Sequence, residues 1–239
     1  MSVATRSLAI ERPGVPAGLV AIPVRTRLVR PGDDLVAIVA AAVTGIARYG
    51  DVVAVSETAL AISQGEFVPA EYVRPTPLAY ALSRRAGALA TVNQPESMQL
   101  VIDRAGRAKV LYATLAHLVG RAFGRRGAFY QVMGGELTAM DGYTGTMPPF
   151  ERAIVFAPRD PGVFAQSVFE CIGTGCAVVD ANDLEKVKVL AASRGVDPTA
   201  LEAALRDNPH GNGDEQTPVV VLKWRAPGVS PLFENSALA

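Results

Sequence analysis

The chain has no surplus of charge: Lys and Arg total 23, Asp and Glu total 23, and the formal net charge is zero. Proteins that hold nucleic acid through its phosphates carry a basic excess, so nucleic acid is not expected as a partner. A balanced total can hide a local patch, and Arg121, Arg125 and Arg126 are the densest basic cluster. Cysteine is scarce, with Cys171 and Cys176 the whole inventory. Two cysteines make no disulfide framework, and both are expected as small buried hydrophobes in a reducing compartment. No apolar run reaches the ~20 residues that a membrane-spanning helix needs. The longest, residues 35–47, contains Thr44 and Gly45 and reads as a core helix. Residues 1–23 hold no basic segment leading into an apolar run, because Arg12-Pro13-Gly14 interrupts them. A cytoplasmic location with no membrane partner is expected. The common phosphate loops, Gly-x-x-x-x-Gly-Lys-Ser/Thr and Gly-x-Gly-x-x-Gly, are missing, and so is the Gly-x-Ser-x-Gly nucleophile elbow. A nucleotide would have to be held in another way.

What is present is enough apolar material for a substantial core, 49% of 239 residues. Residues 22–29 alternate and are β-branched, which reads as extended chain, and Pro31-Gly32-Asp33-Asp34 ends it. Asp33 or Asp34 is expected to cap the helix that follows, because a carboxylate can accept from the orphan amides of the first turn. Residues 52–56 are a short apolar run between turn signals, the pattern of a buried strand. Helices are expected near 78–89, 96–101, 109–121, 160–171 and 198–206, the last capped by Asp197. Further strands are expected at 153–157, 176–179 and 218–223. Residues 123–143 are glycine-rich and residues 184–192 read ambiguously. Strands and helices alternate irregularly and the loops are long, so the expected class is α+β with mixed sheets. One domain over residues 1–239 is expected, with subdomains dividing near 130–150.

Three polar constellations are candidates to carry chemistry. Residues 134–145 combine Gly134, Gly135 and Gly142 with Glu136, Asp141 and Thr144. Glycines let a backbone approach a ligand, and Asp, Glu and Thr offer hard oxygens suited to Mg2+ or Mn2+; equally, the segment reads as a surface loop that merely turns. Asp180, Asn182 and Asp183 follow the apolar run that ends at Val179. Acidic groups just past a buried strand sit where ligands of α/β structures bind, unless Asp183 caps a helix. Residues 208–218 gather amides, carboxylates and glycines before a strand, either a functional loop or a solvated turn. His210 is expected to be solvated there, and with His117 on a helix no two histidines have metal-ligand spacing.

In their order, these segments resemble the coenzyme F-420 γ-glutamyl ligases. The resemblance lies in Ile22-Pro23, Pro31-Gly32-Asp33-Asp34-Leu35, Gly50-Asp51-Val52-Val53, Ser56-Glu57, Gln64-Gly65-Glu66, Ala139-Met140-Asp141, Ile154-Val155-Phe156, Asp160-Pro161, Val178-Val179-Asp180 and Pro218-Val219-Val220-Val221. The resemblance implies two intertwined subdomains and a homodimer. It implies a ligase that uses GTP, with Mg2+ or Mn2+, to activate a carboxylate as an acyl phosphate, which the amine of L-glutamate then attacks. The acceptor would be a phosphorylated small molecule bearing that carboxylate. Ile22, Pro23, Ser56, Thr144 and Gly213 would lie against the nucleotide. Asp141 and Asp180 would be metal ligands, with Asp183, Glu215 and Gln216 as further candidates. Glu57 stands where the family has a lysine, an anion in place of a phosphate-pairing cation. A homologue that binds nucleotide and metal without ligase activity is the alternative.

Overall fold

The computed structural model describes residues 8–9, 18–85, 91–124, 127–134, 140–141, 147–181, 187–211, 215–225, 230 and 232–233. The chain forms two compact units, one from Met1–Glu66 with Pro158–Ala239 and one from Phe67–Ala157. The class is α+β.

The first unit is built on a six-stranded mixed sheet in the order β1-β2-β9-β3-β7-β8. Its strands are β1 (Leu8–Ala9), β2 (Leu19–Val24), β3 (Val52–Ser56), β7 (Gly175–Ala181), β8 (Val187–Ala192) and β9 (Val219–Trp224). β3 and β7 pair in parallel, and β9 runs antiparallel between β2 and β3. β2, β3 and β7 therefore point the same way and end at one margin of the sheet, where β9 begins. Val52 to Val55 and Val219 to Leu222 are fully buried, which is why these strands read as continuous β-branched runs rather than alternating ones. One sheet face packs Leu19, Val52, Ala177, Val220 and Leu222 against Leu201 and Leu205 at the end of helix α8 (Pro198–Ala204). Helices α1 (Leu35–Val43), α2 (Glu57–Ser63) and α7 (Pro161–Ile172) also belong to this unit, and α2 and α7 contact β7. Gly175 is required where β7 starts: a Cβ there would stand 2.7 Å from Val196 Cγ2.

The second unit carries a three-stranded antiparallel sheet, β4 (Phe67–Pro69), β6 (Ala153–Phe156) and β5 (Met140–Asp141), in the order β4-β6-β5. Among the described residues four α-helices accompany it: α3 (Pro77–Ser83), α4 (Pro95–Ala105), α5 (Arg107–Ala122) and α6 (Ala128–Met133). Their core gathers Leu82, Met98, Val101, Ile102, Ile154 and Phe156. The Arg104 guanidinium lies 3.6 Å above the Phe156 ring, a cation–π contact at the edge of that core.

Tertiary context resolves several local alternatives and corrects others. Asp34, not Asp33, caps α1 by accepting from the Ala37 amide at 3.0 Å. Asp33 instead takes the two-pronged Arg27 guanidinium at 2.6 and 2.9 Å and accepts from the Arg30 amide. Arg27 and then the Arg30 amide hold the Asp33 carboxyl below its ordinary range. Part of the glycine-rich stretch is helical, as α6, because Phe129 and Val132 have the second core to pack against. The ambiguous residues near 187–192 are strand β8, whose hydrogen bonds to β7 decide the matter. Cys176 is buried and its thiol is pushed up by that burial, whereas Cys171 is exposed on α7 and not the small core hydrophobe expected.

At the sheet margin opposite the strand ends, Lys223 Nζ lies 3.3 Å from Asp51 and also donates to the Ile46 carbonyl. Asp51 in turn accepts from the Arg48 amide at 2.8 Å. Removing the carboxylate leaves a half-buried ammonium without its counter-ion. Asp51→Ala is therefore expected to cost roughly 2–4 kcal/mol, somewhat under a fully buried pair. Urea unfolding of parent and variant measures it, and a cost under ~0.5 kcal/mol would show that the pair is immaterial.

Candidate functional site

The site forms where β2, β3 and β7 end. In an open sheet, side chains and loops beyond the carboxyl ends of neighbouring parallel strands are left without a partner strand, and ligands bind there. The register runs Val24 opposite Val219, Val219 opposite Val55, and Ser56 opposite Val179. Ile22 and Pro23 lie in the last three residues of β2, Ser56 is the last residue of β3, and Asp180 is the last but one of β7. Glu215 and Gln216 arrive at the same margin just ahead of β9. Six of the sequence-derived site residues are thus brought to one end of one sheet.

The approach to β9 is gripped from both sides. The Thr26 amide, just past β2, donates to the Gln216 carbonyl at 3.0 Å, and the Ser56 amide donates to the Pro218 carbonyl at 2.8 Å. Gln216 sits at φ +55°, a left-handed conformation that a residue with a Cβ adopts at a cost of about 1–2 kcal/mol. Asn208, at the other end of the same loop, has φ +44°. Paired strain of this kind collects at ligand-binding segments, where the surrounding bonds over-determine it. Between them His210 closes the loop: its Nδ1–H donates to the Thr217 carbonyl at 3.2 Å, and the Thr217 hydroxyl donates to the His210 carbonyl. His210 is buried, in contrast to the solvated histidine expected from the sequence. Burial lowers its pKa from 6.5 to about 4, so the imidazole is neutral at pH 7. The Glu215 carboxylate folds back over Gly211, where a Cβ would stand 2.8 Å from its Cδ, and Gly211 itself has φ +73°.

Asp180 is half-buried, and burial raises its carboxyl pKa; Lys188, opposite it on β8, partly offsets the shift. A carboxylate whose charge is under-solvated gains from a cation. Ser56 stands at the start of α2 but makes no side-chain capping bond, which leaves its hydroxyl uncommitted to the helix. Glu57 occupies the first turn of α2, where negative charge suits the positive end of the helix. A glutamate at this position therefore has a local stabilising reason. Lys188 and the peptide grip at Thr26 carried no sequence signal: a lone lysine on a strand of uncertain assignment and a main-chain bond are visible only once register is known.

Asp141 is in the second unit, on β5 with its backbone paired to Val155 of β6. Thr144, Asp183 and Gly213 lie outside the described residues. Among the described residues no group of three or more His, Cys, Asp or Glu is gathered so as to hold a metal ion. The donors at the strand ends, Asp180, Glu215 and the Gln216 amide, are hard oxygens and fit Mg2+ or Mn2+ in kind.

Residues 23–179 match the family model for F420-0:gamma-glutamyl ligase. The chain belongs to this family. The matched span begins at Pro23 on β2 and ends at Val179, one residue short of Asp180, so it includes Ser56 and Asp141 and leaves the loop before β9 outside. No curated protein matches the chain. Membership of the family makes a γ-glutamyl ligase of the coenzyme F-420 type the activity to test, with small-molecule substrates such as glutamate. No helix among the described residues is long and apolar enough to cross a membrane.

Because His210 is held neutral in the folded protein, protons bind the unfolded chain more tightly. The contribution of His210 is complete above about pH 6.5 and falls away as pH drops toward 4. Asp180, raised by burial, has the opposite slope near the carboxylate range, so the comparison must be differential. Parent stability minus that of His210→Gln should shrink steadily from pH 6.5 to 4 in denaturant titrations. A difference that does not vary with pH would mean that the ring is not buried neutral.

Proposed function

We propose that this chain joins the amine of L-glutamate to a carboxylate on a phosphorylated acceptor, using GTP and Mg2+ or Mn2+, and works as a homodimer. The observation that carries this proposal is the meeting of Ser56, Asp180 and the Glu215–Gln216 approach at one end of the sheet, in a chain of this family. Asp180, with Glu215 and Gln216, would hold the divalent ion; the family resemblance adds Asp183 and Gly213 as further candidates, and it implies roles for Asp141 and Thr144 of the second unit as well. When bound, the ion neutralises phosphate charge and aligns the reacting groups. The chain's own part is positional. Ile22 and Pro23 give an apolar wall, and the Ser56 hydroxyl is available to a phosphate oxygen. The locked loop before β9 holds Gln216 in a conformation that needs no rearrangement on binding. Lys188, beside Asp180, supplies the cation that Glu57 does not.

A second proposal is favoured by Glu57 itself: a homologue that binds nucleotide and metal without forming the amide. The two differ in turnover. Release of GDP that requires both glutamate and a carboxylate acceptor supports the ligase. Metal-dependent GTP binding with no turnover across a panel of phosphorylated carboxylates supports the silent homologue.

Two substitutions test the site by calorimetry. Asp180→Asn should weaken metal-dependent GTP binding ~100-fold or more, beyond the ~10–100-fold typical of groups one shell further out. It should also raise the thermal midpoint of the free protein, since it removes an under-solvated charge. Glu57→Lys should tighten GTP binding roughly tenfold, the worth of one charged hydrogen bond. Unchanged affinity in both variants would remove the strand-end site from consideration.

A further inference from the structure

Strand β8 (Val187–Ala192) does not keep step with β7 (Gly175–Ala181). The register runs Ala177 opposite Ala192 and Val178 opposite Ala191, then Val179 opposite Val189 and Asp180 opposite Lys188. Leu190 is the extra residue of a β-bulge. The hydrophobic pattern demands it. Val187, Val189 and Ala192 all pack on the core under α8, whereas strict alternation from Val189 would send Ala191 there and turn Ala192 away. One added residue restores the phase. Ala191 accordingly faces the start of α7, where a Cβ on Gly162 would stand 3.9 Å from its own.

The bulge also decides what stands beside Asp180. Continued without it, the register of Val178 and Ala191 would set Val189 opposite Asp180 and Lys188 opposite Ala181. With it, Lys188 is the direct cross-strand neighbour, with the two Cβ atoms roughly 5 Å apart. Val179 and Val189 belong to the core face, so Asp180 and Lys188 share the other one. Lys188 is exposed, and its charge partly offsets the burial of the Asp180 carboxyl. A slip of one residue would replace that ammonium with an apolar side chain.

A bulge leaves backbone groups off the ladder, and they need partners. The Val189 amide, next to Leu190, donates to the Glu202 carboxylate at 2.9 Å. Glu202 is on α8 (Pro198–Ala204), which Asp197 caps and which the buried Leu201 fixes on the sheet. β8 is the outer strand, and among the described residues no further strand pairs with its open side. The bond is charge-assisted and comes from a helix seated on the core, which suits it to hold a bulge at a sheet edge.

We infer that Glu202 is a positioning residue: it holds the bulge at Leu190 and thereby keeps Lys188 opposite Asp180. Its bearing on ligand rests on the proposed function, in which Asp180 takes the divalent ion and Lys188 the phosphate charge. Its hold on the register does not.

Two variants of the full chain separate the hydrogen bond from the charge. Glu202→Leu removes the acceptor at similar size, and Glu202→Gln keeps an oxygen that can accept from the same amide. In NMR spectra of the free protein, the backbone contact between Asp180 and Lys188 should persist in Glu202→Gln and vanish in Glu202→Leu. GTP affinity in Mn2+, read by calorimetry, should fall ~5–10-fold in Glu202→Leu and stay within ~2-fold of the parent in Glu202→Gln. With Lys188→Met as background, Glu202→Leu should change affinity less than ~2-fold, because both variants remove one and the same contact. The inference is overturned by an Asp180–Lys188 contact that survives Glu202→Leu or is lost in Glu202→Gln. Equal losses of affinity with and without Lys188 overturn it too. If the parent binds no GTP, the proposed function fails, and the backbone contact alone decides whether Glu202 sets the register.

Discussion

Two main-chain hydrogen bonds organise the proposed site. The amides of Thr26 and Ser56 hold the carbonyls of Gln216 and Pro218. They place the start of β9 between the ends of β2 and β3. That arrangement follows from β9 being a central strand added last: it must enter a gap between two strands that already run parallel to one another. Its leading segment cannot be a free loop, because its peptide groups are close to a buried sheet and need partners. The strain at Gln216 and the buried His210–Thr217 lock are consequences of that entry.

Pinning has a functional corollary. A peptide segment held in place before a ligand arrives loses little conformational entropy on binding, so the donors proposed at Glu215 and Gln216 would act at full strength. Asp180 shows the complementary economy. Burial raises its carboxyl pKa and Lys188 partly offsets the shift, so a cation bound there would stabilise the ionised form. On the proposed reading, stability and function pull against each other at this residue, as they commonly do at sites prepared for a ligand. At the opposite margin, the Lys223–Asp51 pair is satisfied within the fold. One end of the sheet is closed by its own charges, and the other carries the proposed site.

The second unit contributes differently. Its core is satisfied by short helices and a small sheet, and its α5 sends its largest apolar side chains outward. The segment is rich in Ala and Leu, which favours a helix, and Gly106 and Gly124 bound it. An amphipathic helix normally turns its apolar stripe to the core. Here a narrow seam of Val110 and Ala113 packs inward, and the larger apolar side chains stay exposed.

The sequence by itself determined a good deal. Continuous β-branched runs identified β3, β6, β7 and β9, Asp197 and Pro198 announced α8, and the ordered motifs pointed to the γ-glutamyl ligase family, which the match over residues 23–179 shows. These features are legible because strand burial and helix capping act over a few neighbouring residues. Tertiary structure alone decided the rest. Sheet order brought Ile22, Pro23, Ser56, Asp180, Glu215 and Gln216 to one margin. It buried a histidine that composition assigned to solvent, and it separated Asp34 the cap from Asp33 the arginine partner. The outward face of α5 belongs with these, since a helical stripe is the same in sequence whether a core covers it or not. Register, burial and exposure are properties of pairs of distant segments, and no local pattern encodes them.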